Sequence, residues 1–97
     1  MGKLESKFQK DFTDKLKKLF PGCMIFKNDS GYIQGIPDWT ILYKNKWALL
    51  EIKRERKAKK QPNQDYYVDL LNGMSFSRFV YPENENKVIN ELIDFFK

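Results

Sequence analysis

The chain has 97 residues, enough for one domain with one core and too few for a separate substrate domain. Hydrophobic residues at 41% and aromatics at 15% point to a folded globule, and a single cysteine, Cys23, excludes an internal disulfide and a cysteine-built zinc site. The net charge of +5 comes with no histidine at all, which removes histidine general bases, serine and cysteine triads and histidine-zinc hydrolases together.

Along the chain, Leu4, Phe8, Phe12, Leu16, Leu19 and Phe20 recur at three- and four-residue spacing and predict an amphipathic helix stopped by Pro21-Gly22. Glu5 lies at the border of that apolar stripe. Cys23 to Lys27 is a short apolar run that reads as a first strand, and Cys23 itself reads as a small core hydrophobe. The turn formers Asn28 to Gly31 follow, and Tyr32-Ile33-Gln34 leads into Gly35. Lys27, Asn28 and Ser30 are candidates for phosphate contacts. Gly35 and Pro37 are expected to set the direction in which Asp38 joins the next strand.

From Gly35 to Lys53, two runs of β-branched and aromatic residues flank Lys44-Asn45, the pattern of a β-hairpin. A two-residue loop pairs Tyr43 with Lys46 and, counting back, sets Asp38 opposite Glu51 with Cβ atoms roughly 5 Å apart. Lys53 shares the face of Glu51 because side chains alternate along a strand. Trp39, Ile41, Tyr43, Ala48, Leu50 and Ile52 form the other face, which is apolar and calls for helices against it.

Facing carboxylates raise each other's cost of ionisation unless a cation joins them, and oxygen donors without histidine or cysteine suit Mg²⁺ or Mn²⁺. The Ile52 backbone carbonyl is a candidate third oxygen ligand. A salt-bridged surface cluster is the competing reading of the same residues.

Between Lys53 and Lys60 the chain holds six basic residues and one acid, leaving twelve of each sign elsewhere, so the whole net charge lies directly after the acid pair. Arg54, Arg56, Lys57, Lys59 and Lys60 are therefore candidates for binding a phosphate backbone, against the alternative of a solvated loop. Pro62 suits the first position of a following helix, on which Gln64, Tyr67, Val68 and Leu71 share a face. Asn72-Gly73 is expected to end it. Phe76 to Tyr81 alternates as a last strand, and Val88, Ile89, Leu92, Ile93 and Phe96 mark a final helix. The order is helix-strand-strand-strand-helix-strand-helix, an α/β domain spanning residues 1–97 with a mixed sheet. No apolar run is long enough for a signal peptide or a membrane span, so a soluble cytoplasmic protein is expected.

Pro37-Asp38 followed by Glu51-Ile52-Lys53 resembles the motif of the PD-(D/E)xK nuclease superfamily. Gly35-Ile36 ahead of it, and Pro62-Asn63-Gln64 after the basic loop, are most similar to its VRR-NUC branch, akin to Holliday junction resolvases. The resemblance covers nearly the whole chain. It implies a restriction-endonuclease-like core and a Mg²⁺- or Mn²⁺-dependent endonuclease acting on DNA, with branched DNA (a four-way junction, flap or fork) as the expected substrate against plain duplex, and a homodimer where a junction is resolved by two cuts. Asp38 and Glu51 would hold the metal and Lys53 would serve the attacking water. Glu5 would support the metal through water and Gln64 would hydrogen bond near the metal water or a phosphate. Taken as residues alone, Glu5 also suits a helix-start acid and Gln64 an ordinary first-turn side chain. Two rival functions remain, a catalytically silent nucleic-acid-binding module and a structural or protein-interaction domain.

Overall fold

The computed structural model describes residues 5–97, so Leu4 of the first apolar stripe lies outside the described residues. The fold is α/β, with a four-stranded mixed sheet and three helices. Helix α1 spans Glu5–Leu19, strands β1, β2 and β3 span Met24–Lys27, Trp39–Tyr43 and Lys46–Ile52, and helix α2 spans Gln64–Met74. Strand β4 is Ser77–Val80, and helix α3 is Glu85–Phe95, reached through a 3-10 turn at Pro82–Asn84.

The strands lie in the order β1-β2-β3-β4, antiparallel through β3 and parallel between β3 and β4. A parallel pair needs a crossover, and α2 supplies it. Tyr43 pairs with Lys46, so the β2–β3 loop has two residues, and Lys44 takes the left-handed φ of 57° that so tight a reversal demands.

Alternation along β2 and β3 then divides the molecule into layers. Ile41, Ala48, Leu50 and Ile52 are buried with Phe8, Phe12 and Leu16 of α1 and Val88, Leu92 and Phe96 around α3, and Trp39 and Tyr43 pack at the margin of this core. Phe20, Tyr43 and Phe96 close one end, with ring centroids 5.1 to 5.6 Å apart. Helix α2 packs on β3 and β4 and buries Val68 and Gln64, outside the main core cluster. Cys23 is half-buried against the main core.

Four local expectations are corrected. Helix α2 begins at Gln64 rather than Pro62, because Asn63 sits at φ 71°, a left-handed conformation that cannot continue into a helix behind it. Gly73 lies inside α2, which runs to Met74 and is capped by the Ser75 N–H on the Leu71 carbonyl. Helix α3 starts at Glu85, three residues before its first apolar anchor, because the Pro82–Asn84 turn already curls the chain. Ile93 is 37% exposed and stands outside the buried row of Val88, Leu92 and Phe96.

Leu50 lies at the centre of the sheet, 1% exposed, between the two core-side helices. Leu50→Ala should cost about 2–5 kcal/mol. Against a total stability of roughly 5–15 kcal/mol for a domain of this size, urea denaturation should show a large drop in midpoint with an unchanged slope.

Candidate metal and phosphate site

The approach to the site is set by Gly35. Its φ is +92°, and a Cβ there would lie 2.6 Å from the Pro62 carbonyl oxygen and 2.7 Å from the Asn63 Cβ. Both facts demand glycine, and together they dock the loop before β2 onto the chain just ahead of α2. Beyond it, Asn28 holds the Pro37-Asp38 segment from the other side. Its N–H donates to the Asp38 carbonyl at 2.6 Å, its Nδ2 donates to the Pro37 carbonyl at 2.8 Å, and its Oδ1 accepts from the Thr40 hydroxyl at 2.9 Å. Asn28 therefore clamps the backbone, with both ends of its amide engaged within the protein.

The register Trp39↔Leu50, continued one position, brings Asp38 opposite Glu51. The Asp38 N–H donates to Glu51 Oε1 at 3.2 Å. Glu51 is 1% exposed, and Lys53 Nζ stands 3.6 Å from its other carboxylate oxygen. Lys53 is itself buried, and its Nζ also donates to the Lys59 carbonyl at 3.4 Å. Its backbone N–H donates to the Val80 carbonyl at 2.8 Å, so β4 holds the end of β3 in place.

These side chains open into a cavity of about 420 Å³ whose walls include Glu5, Asp38, Glu51, Lys53 and Gln64. All five residues expected at the chemical centre line it. Gln64 reaches back to accept the Gln61 N–H at 2.9 Å, which fixes its amide at the rim. Ser30 lies on the wall contributed by the β1–β2 loop.

The basic residues lie elsewhere. Arg54, Arg56, Lys57 and Lys59 are exposed on the segment after β3, outside the cavity wall. Lys60 pairs with Asp65 at 2.9 Å and lies 4.4 Å from the Phe79 ring centroid. Lys27 is exposed with its Nζ 5.6 Å from the Trp39 ring, and its charge draws on Asp38. Lys53 is separated from this group, being tied to Glu51 inside the protein.

Gln9 is the residue that sequence reasoning missed. It is buried on α1, and its Nε2 donates to the Ile52 carbonyl at 3.0 Å. The carbonyl expected as a third oxygen ligand accepts this bond with one of its two lone pairs, and Ile52 is not among the residues of the cavity wall. The available signal was position: Gln9 stands one helical turn after Glu5, on the same row.

Burial and mutual repulsion shape the acids. Burial is the larger cause pushing the Glu51 carboxyl up to about 7, the Asp38 charge adds to it, and Lys53 and the Asp38 N–H pull the other way. Burial raises Asp38 too, opposed by Lys27 and Lys53 and reinforced by Glu5. Lys53 alone leaves the pair under-neutralised. Among the described residues no group of three or more acidic, cysteine or histidine side chains is gathered closely enough to hold a metal by itself. Two facing carboxylates of raised basicity nevertheless suit a hard divalent cation that completes its shell with water or phosphate oxygens, as Mg²⁺ commonly does.

Comparison with protein-family models, with curated proteins and with solved structures returns no match.

Between the ordinary glutamate value of 4.5 and about 7, the folded protein holds a proton on Glu51 that the unfolded chain has released. The unfolded state therefore binds fewer protons in this window, and stability falls as pH rises through it. In chelator, the unfolding temperature should decline from pH 5 to pH 8. Mg²⁺ should restore it at pH 8 and do little at pH 5, and Glu51→Gln should remove the slope. A wild-type curve indistinguishable from that of Glu51→Gln would contradict this reading.

Proposed function

We propose that the protein is a divalent-metal-dependent endonuclease of the PD-(D/E)xK type, with a nuclease-like core, that hydrolyses phosphodiester bonds in DNA. The observation that carries the reading is the convergence of Asp38, Glu51 and Lys53 in one cavity, two acids and a lysine on adjacent strand ends. An all-oxygen acid pair favours Mg²⁺ or Mn²⁺, and the exposed basic segment that follows β3 favours a polyanion as substrate.

Asp38 and Glu51 would hold the cation. Once bound, a divalent ion supplies charge neutralisation at the phosphoryl oxygen and makes water a competent nucleophile near neutral pH. Lys53 keeps a cation beside the reacting phosphate, where negative charge grows in the transition state, and its burial strengthens that interaction. Glu51 is held in β3 opposite Phe79 of β4, and Asn28 and Gly35 fix the chain before Asp38, so neither acid needs to reorganise when substrate arrives. Gln64 stands at the rim with its amide fixed by Gln61, positioned to hydrogen bond a phosphate oxygen or an ordered water. Glu5 adds negative charge at the far wall and would act on the cation through water.

Arg54, Arg56, Lys57, Lys59 and Lys60 would track the DNA backbone beside the cavity. A branched substrate, a homodimer that makes two coordinated cuts, and a cytoplasmic site of action belong to the same proposal. Among the described residues no helix is long and apolar enough to cross a membrane.

The test is Mg²⁺-dependent nicking of supercoiled plasmid. Asp38→Asn and Glu51→Gln should each lower the rate by at least about a hundredfold with the circular dichroism spectrum unchanged, a loss of some 3 kcal/mol in transition-state stabilisation. Lys53→Ala should lower turnover far more than DNA affinity, because five other basic residues in its segment remain. Near-normal nicking by either acid variant would overturn the assignment.

A further inference from the structure

The loop from β1 to β2 forms a second hollow, open to solvent and of about 310 Å³, lined by Asn28, Asp29, Tyr32, Ile33 and Ile36. Ile36 also walls the acid-lined cavity, and it stands two residues before Asp38, so the two spaces are neighbours across one side chain. Tyr32 is 87% exposed and Ile33 36% exposed. Among the described residues Tyr32 is the most exposed of the large hydrophobic side chains, and its ring stands in water beside this hollow.

The loop holds its shape through its own hydrogen bonds. The Tyr32 N–H donates to the Asp29 carbonyl at 3.1 Å, the Gly31 N–H to Asp29 Oδ1 at 2.8 Å, and the Ile36 N–H to the Ile33 carbonyl at 3.3 Å. Asn28 ties the loop's start to Pro37 and Thr40. The cavity is thus formed before any ligand arrives, with Tyr32 and Ile33 at its mouth.

Its chemistry separates the parts of a nucleotide. The Asp29 carboxylate on the wall repels phosphate, while Tyr32, Ile33 and Ile36 offer flat and apolar surface to a ring. Positive charge lies outside, at Lys27 immediately before the loop and on the basic segment beyond β3. Backbone phosphates are drawn past the cavity, and what turns into it is the uncharged part.

We propose that this cavity is a nucleobase subsite: an unpaired base stacks on Tyr32 against Ile33 and Ile36, while a phosphate of the same strand lies at Asp38 and Glu51. The proposal rests on the nuclease reading and narrows the substrate to DNA with a single-stranded or unpaired stretch at the cleavage point. A base inside an intact duplex would first have to be unstacked to enter. Stacking on an aromatic ring tolerates every base, so the subsite selects for strand structure and leaves sequence free.

The test uses fluorescence anisotropy in chelator, so that no strand is cut, with a labelled single-stranded oligonucleotide and a blunt duplex of the same length. Tyr32→Ala should weaken single-strand binding about tenfold, and Tyr32→Trp should keep it within about twofold, since the indole supplies the same platform. Duplex affinity and unfolding temperature should stay unchanged in both variants, because Tyr32 is exposed and packs no core. Single-strand binding that is unaffected by Tyr32→Ala, or lost equally on duplex, would overturn the subsite. Binding in chelator is read without turnover, so this result is separate from whether Asp38→Asn abolishes plasmid nicking.

Discussion

The site depends on a single electrostatic tension, a glutamate almost wholly removed from water and placed across a β-ladder from an aspartate. Glu51 has the Asp38 N–H and the Lys53 ammonium as partners, and these do not offset its burial and the neighbouring charge. An acid pair with one member fully buried and the other half-buried is costly, and groups perturbed in this way cluster at functional sites. The surrounding architecture serves to hold the two carboxylates together against their repulsion. Asn28 and Gly35 fix the chain before Asp38, β4 holds the end of β3 through the Lys53 N–H, and Gln9 anchors the peptide between Glu51 and Lys53.

Much of this was legible in the sequence because two simple periodicities govern it. A two-residue turn at Lys44-Asn45 sets the β2–β3 register, and strand alternation then carries Asp38 and Glu51 to one face and Leu50 and Ile52 to the other. The three-and-four spacing of Phe8, Phe12 and Leu16 likewise determines which side of α1 meets the sheet. These inferences need no knowledge of where distant segments end up.

What stayed hidden depended on docking between segments far apart in the chain. The Gln9 hydrogen bond to Ile52 spans 43 positions and follows from how α1 lies across the end of β3. The left-handed Asn63 that delays α2 is tied to the close approach of Gly35, which no local propensity reports. Strand alternation already put Lys53 on the face of Glu51, and what counting charges along the chain left out is its burial, with Nζ 3.6 Å from the Glu51 carboxylate. Asn28 looked like one more polar turn residue, and only its three hydrogen bonds reveal a clamp.

The central claim is that the Asp38–Glu51 pair exists to receive a hard divalent cation. Titration calorimetry with Mn²⁺ at neutral pH tests it most directly, with no substrate or product to interpret. The account predicts saturable binding to the wild-type protein, loss of that binding in Asp38→Asn and in Glu51→Gln, and retention in Tyr32→Ala. Wild-type protein that takes up no Mn²⁺, or acid variants that bind it as the wild type does, would contradict the account at its base.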